Sequence, residues 1–161
     1  MSDPAPMAWH ARVLVVSDGV ADGSREDRGG VALAEVLQAA GAIVDDVTVS
    51  PDGIPAVVGA LRDLTAGYRG LVITTGGTGF GPRDLTPEAT RQVITREAPG
   101  LAEAMRLVNP LGRLSRGLAG SVEQALVLNV PGSPKGAVEC LAAVLDVVPH
   151  ALALLAGDRP H

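Results

Sequence analysis

The run 74–90, TTGGTGFGPRDLTPEAT, carries the residues best suited to chemistry in this chain. Gly76, Gly77, Gly79 and Gly81 leave backbone N–H groups bare, so an anion can approach them closely. Thr74, Thr75 and Thr78 add short hydroxyl donors. An apolar stretch at 70–73 precedes the run and reads as a strand. Thr86 followed by Pro87 reads as an N-cap and first helical residue. A strand, a glycine-rich turn and a helix N-terminus together form a phosphate site. One acid, Asp84, lies inside this anion loop. A carboxylate beside a phosphate makes chemical sense when a divalent cation sits between them. The plain structural alternative is a glycine-rich turn whose acid only stabilises the loop.

The loop fits neither of the two commonest phosphate fingerprints. No Lys-Ser or Lys-Thr pair follows the glycines, as a P-loop requires. The glycine spacing is not G-x-G-x-x-G, and the first strand ends in Ser17-Asp18-Gly19, which argues against a dinucleotide site.

Several motifs in order extend the signal along the chain. They are VLVVSDG near the start, EDRGG before the first helix, PD at Pro51-Asp52, GGTGFGPRDLTPEAT, PGLAEAMR at 99–106, LSRG at 114–117 and LNVPGSPKG at 128–136. Together they resemble the MoaB/Mog family of molybdenum cofactor biosynthesis proteins, over residues 13–157. Gly29-Gly30 stands where many relatives have Ser-Gly, and Phe80 where a smaller aliphatic is commoner. The resemblance implies transfer of AMP from MgATP to the terminal phosphate of molybdopterin, giving adenylylated molybdopterin and pyrophosphate. The alternative within the family is a molybdopterin-binding or carrier protein of the MoaB type without chemistry of its own. It also implies Mg²⁺, a homotrimer, and contact with other molybdenum cofactor biosynthesis proteins.

The resemblance assigns roles that the residues alone leave open. Asp52 could be a turn-former or helix N-cap; with Asp84 it matches the family's essential acids, so both become candidates for catalysis and for holding the metal. Ser17 and Asp18 could form only a turn, and their counterparts line the nucleotide side. Asp27 could belong to a solvated charge run. Thr75, Gly76, Gly77, Thr78 and Gly79 form the anion loop. Ser115 and Arg116 could be surface residues or could offer a hydroxyl and a guanidinium to a phosphate. Pro131, Gly132, Ser133 and Lys135 read as a second anion loop. A lysine at a helix start opposes the helix dipole, which favours a ligand for Lys135. Glu103 reads as a helix-surface acid and enters only through the resemblance.

Composition narrows the classes. With 161 residues, 47% hydrophobic but 2% aromatic, the chain suits one domain whose core is built from Ala, Val, Leu and Ile. A net charge of −5 and few aromatics argue against nucleic-acid binding. One cysteine, Cys140, rules out an intrachain disulfide. The three histidines have no neighbouring ligands in the sequence, which argues against a zinc site. No signal peptide is visible, and the apolar region 140–155 is interrupted by Asp146, Pro149 and His150; a cytoplasmic protein with no membrane partner is expected.

The elements that must position these residues alternate. Strands are expected at 13–16, 43–49, 71–75 and 125–130. Helices are expected at 31–40, 54–66, 87–96, 101–107, 137–148 and 151–155, with 109–121 irregular. The alternation predicts a three-layer αβα domain with an open, mostly parallel sheet. Its strand C-termini gather the polar loops on one edge. Residues 1–11 are expected as a tail, 12–157 as the single domain, and 158–161 as a second tail.

Overall fold

The computed structural model describes residues 8–159. Most of the expected N-terminal tail and the last two residues lie outside that range. A six-stranded sheet runs in the order β2-β1-β3-β6-β5-β4. Strands β1 (Trp9–Val16), β2 (Ala42–Ser50), β3 (Gly70–Thr75) and β6 (Ala125–Val130) are parallel. Both β3 and β6 are buried along their whole length, as continuous apolar runs demand in the middle of a covered sheet. The other two strands, β5 (Ala119–Val122) and β4 (Arg96–Glu97), are antiparallel additions at the edge.

Helices cover both faces. On one side α2 (Gly29–Ala39), α5 (Pro99–Arg106), α6 (Pro134–Val144) and α7 (Val148–Leu155) pack Leu33, Leu37, Met105, Leu141, Val144 and Leu152 against Val13, Ile73 and Leu128. On the other, α3 (Ile54–Thr65) and α4 (Thr86–Val93) pack Val57, Leu61, Ala89 and Val93 against Leu14, Val72 and Val127. The three-layer expectation holds. A short helix, α1 (Asp18–Ala21), follows β1 directly.

Several details differ from the sequence-based expectation, among them α4, which ends at Val93 and not at 96, where β4 begins. Strand β1 starts at Trp9, so residues 9–11 belong to the sheet and not to a tail, and Ala11 is fully buried. At the other end Asp158 pairs with Arg69 at 3.3 Å. The segment 109–121 is only partly irregular, because it holds a 3₁₀ turn (Pro110–Leu114) and β5. The β5–β6 turn places Glu123 at φ 51, a conformation that Gly or Asn usually signals, so the hairpin left no mark in the sequence. Helix α6, a 3₁₀ turn (Leu145–Val147) and α7 form one helical run from Pro134 to Leu155, long and apolar enough by length and composition to cross a membrane. Pro149 does not interrupt it, because a proline in a helix's first turn sacrifices no hydrogen bond. Leu141, Val144, Val148 and Leu152 of this run lie in the core.

Candidate active site

The C-terminal ends of β1, β2, β3 and β6 open onto one cleft of about 1320 Å³. Its floor is the glycine loop. Gly76 has φ 107, and a Cβ there would stand 2.2 Å from the Val16 carbonyl oxygen. Gly77 has φ 68, and a Cβ there would stand 2.2 Å from Thr86 Oγ1. No side chain fits either position, so the loop presses its backbone against β1 and α4. Thr86 is not the N-cap expected from the sequence: it is the first residue of α4, and its buried hydroxyl donates to the Gly76 carbonyl at 2.9 Å. The capping position falls on Leu85, which makes no side-chain cap.

Both principal acids line this cleft. Asp84 Oδ2 accepts the Gly81 N–H at 2.9 Å, which leaves its other oxygen without a hydrogen bond from the loop. Asp52 does not cap α3; that position belongs to Gly53. Instead Asp52 Oδ2 accepts the Asp18 N–H at 2.9 Å, while Asp18 Oδ1 accepts the Asp52 N–H at 3.1 Å. Burial raises the Asp52 carboxyl above its ordinary value, and the charges of Asp18 and Asp84 push the same way. Asp18 moves downward, chiefly because Arg83 donates to it.

Ser17, Asp27, Thr75, Thr78, Gly79, Ser115, Pro131, Gly132, Ser133 and Lys135 also line the cleft. Several have a structural duty as well. Ser17 caps α1 by accepting the Val20 N–H at 3.2 Å. Asp27 accepts the Gly30 N–H at 2.8 Å at the start of α2. Ser133 caps α6. Thr75 Oγ1 donates to the Pro131 carbonyl at 2.7 Å, joining the two anion loops. Lys135 is 84% exposed and only 3.8 Å from Glu139, so its ammonium is loosely held.

Three expected site residues do not line the cleft. Glu103 is exposed on α5. Asp18 stands behind Asp52, paired with Arg83. Arg116 does not offer its guanidinium to a ligand. Its Nε donates to the Gly79 carbonyl at 2.7 Å, Nη2 to the Asp84 carbonyl at 2.6 Å and Nη1 to Glu88 at 2.7 Å. Two of the three nitrogens brace the glycine loop, and the third ties it to α4.

Sequence reasoning missed Arg25 and Arg28, which line the cleft with Lys135 as its cations. It missed Arg83, although the adjacent Asp84 was a signal. It also missed Asn129, which donates to Thr74 at 2.9 Å and to Thr90 at 3.0 Å while accepting the Leu118 N–H at 3.0 Å. That buried node ties β3, β6 and α4 together beneath the loop. Among the described residues, no three His, Cys, Asp or Glu side chains converge on a single point. Two carboxylates alone suit Mg²⁺, which keeps several waters and takes further ligands from substrate phosphates.

The family model described as "Probable molybdopterin binding domain" matches residues 12–150. The chain belongs to this family. The resemblance read from the motifs is thereby borne out. The molybdopterin adenylyltransferase of Helicobacter pylori (strain J99) is 36% identical over 156 residues, covering 92% of this chain and 89% of the relative. The crystal structure of the molybdopterin biosynthesis enzyme MoaB from Thermus thermophilus superposes with a TM-score of 0.88 at 47% identity, over 93% of this chain and 98% of that one. The Mog protein of Mycobacterium ulcerans gives 0.86 at 39% identity, over 94% and 99%.

Proposed function

We propose that this protein is a molybdopterin adenylyltransferase that moves AMP from MgATP onto the terminal phosphate of molybdopterin. The observation that carries the reading is the convergence of Asp52, Asp84 and two backbone-rich anion loops on one cleft, in a chain of this family. A terminal phosphate oxygen attacks the α-phosphorus of ATP. The bond from that phosphorus to the bridging oxygen breaks, and pyrophosphate leaves with the electron pair. A phosphate monoester has a second pKa of about 6, so the nucleophile is already ionised and no strong base is needed.

The task is to hold two anions together and offset charge at the α-phosphorus. N–H groups of the loop 77–79 and of the α6 start supply fixed donors, while the Gly76 N–H is held by the Val130 carbonyl at 3.1 Å. Arg25, Arg28 and Lys135 supply cations at the rim. Asp52 and Asp84 would hold Mg²⁺, which when bound withdraws charge from the phosphates. Ser17, Asp27 and Ser115 line the same cleft.

The assembly in this reading is a homotrimer in the cytoplasm that hands its product to other molybdenum cofactor biosynthesis proteins. Supporting a self-association surface, Leu107 is 85% exposed beside the exposed Val108, next to Leu111 and Leu114, which line the cleft. The deciding experiment is mass spectrometry of molybdopterin incubated with the protein and MgATP. A mass gain of one adenylyl group together with pyrophosphate release is expected. Binding of the pterin without any adduct would establish the non-catalytic carrier instead.

A further inference from the structure

Arg83 occupies an unusual place. It sits in the glycine loop next to Asp84, yet neither it nor Asp18 lines the cleft. Its Nε donates to Asp18 Oδ2 at 2.6 Å, and its Nη2 donates to Asp18 Oδ1 at 3.0 Å. The same Nη2 also donates to the Asp52 carbonyl at 2.8 Å. Asp18 and Asp52 in turn exchange backbone N–H groups for carboxylate oxygens. Three turns far apart in sequence, after β1, β2 and β3, are therefore pinned at one point.

The pinned group is Asp52. A Cβ on Gly77 would lie 3.3 Å from Asp52 Oδ1, so that oxygen rests against the anion loop. The fork of a guanidinium can grip a carboxylate and a carbonyl at once with fixed angles, which a lysine ammonium cannot. The Arg83 and Asp18 side chains are 61% and 44% exposed, and an ion pair so placed contributes little to stability. What the pair does contribute is direction: it sets where the Asp52 backbone and carboxylate stand relative to Asp84.

We propose that Arg83 is a positioning residue for adenylyl transfer, acting through Asp18 and the Asp52 carbonyl to hold the Asp52 carboxylate beside Asp84 in the geometry that Mg²⁺ and the phosphates require. This rests on the adenylyltransferase reading above. Loss of the guanidinium leaves the Asp18 carboxylate and the Asp52 carbonyl without their shared donor.

The test compares wild type, Arg83→Gln, Arg83→Lys, Asp52→Asn and the double variant Arg83→Gln/Asp52→Asn. Readouts are kcat, KM for ATP and pterin, Mg²⁺ affinity by calorimetry in the presence of ATP, and melting temperature. Arg83→Gln should melt within a few degrees of wild type, with kcat down tenfold or more and pterin KM nearly unchanged. Its Mg²⁺ affinity should fall severalfold. Arg83→Lys, keeping charge without the fork, should recover only a small part of kcat and of Mg²⁺ affinity. In the Asp52→Asn background, Arg83→Gln should cost almost nothing further. The proposal is overturned if Arg83→Gln leaves Mg²⁺ affinity unchanged, if its activity falls only in step with melting, or if the two substitutions multiply independently. A rise confined to the ATP KM would instead make Arg83 a direct phosphate ligand and also overturn it. No adduct from wild type would remove the reading itself, a result separable from any behaviour of the variants.

Discussion

Thr86 and Gly76 are locked to each other across the glycine loop. The Thr86 hydroxyl donates to the Gly76 carbonyl at 2.9 Å, and the Thr86 N–H donates to the Gly77 carbonyl at 3.1 Å. A residue that looked like a helix cap thus fastens α4 to the floor of the site. Thr86→Val keeps the shape and removes the donor, stranding a buried carbonyl. The expected loss is about 1–3 kcal/mol, seen as a lower urea midpoint, with weaker pterin binding. An unchanged midpoint would show that the hydroxyl is idle.

Asp52→Asn separates charge from shape, because the amide oxygen can still accept the Asp18 N–H. In wild type burial raises the folded-state carboxyl above its ordinary value. A raised carboxyl favours folding fully at pH below its unfolded pKa, and this contribution is lost as pH climbs through the folded pKa. The Asn variant has no such loss. Its melting temperature should therefore gain on wild type as pH rises through the carboxylate range and stay level with or above it at neutrality, while adenylyl transfer collapses. A variant that melts lower by the same margin at every pH would mean that Asp52 is a structural turn residue.

Asp84→Asn should also fold normally, since an amide oxygen can still take the Gly81 N–H. Turnover should drop on the order of a hundredfold, as loss of one charge-stabilising group commonly does, and excess Mg²⁺ should recover only part of it. Stopped assays for adenylylated pterin measure this directly. Full activity in the variant would assign Asp84 to the loop alone.

Arg116 and Lys135 should respond in opposite ways. Arg116→Gln releases the Gly79 and Asp84 carbonyls and leaves Glu88 without its partner, so stability and substrate binding should fall together. Lys135→Ala touches only an exposed ammonium, so melting should stay constant while the KM of a phosphorylated substrate rises severalfold. If Arg116→Gln melted like wild type and changed only KM, Arg116 would be a phosphate ligand after all.

Light scattering over a wide concentration range should return three times the chain mass. Substituting Leu107 and Val108 with serine should lower that mass if those residues cover the self-association surface. A monomer mass for wild type at every concentration would refute the trimer.

Much of the fold was legible because its signals are local. Uninterrupted apolar runs such as LVI at 71–73 have one low-energy home, a strand buried on both faces, and their alternation with helical periods leaves few topologies. The edge strands escaped because their signals are weak. Arg96–Glu97 is too short to show a period, and the Glu123 turn carries no glycine. The candidate site was legible where a motif needs particular backbone, as at Gly76 and Gly77.

Hydrogen-bond partners were not legible in this way. Sequence by itself determined which residue types stand at the strand ends: the glycine loop, the acids Asp52 and Asp84, and the second loop before α6. Tertiary structure alone decided what each side chain faces. It turned Arg116 inward to brace the loop, placed Asp18 behind Asp52, set Glu103 on an exposed helix face, and brought Arg25 and Arg28 to the rim. The physical reason is that a strand or a tight turn follows from φ/ψ preferences and periodicity within a few residues. The partner of a guanidinium or carboxylate depends instead on which distant segments the sheet brings within about 3 Å.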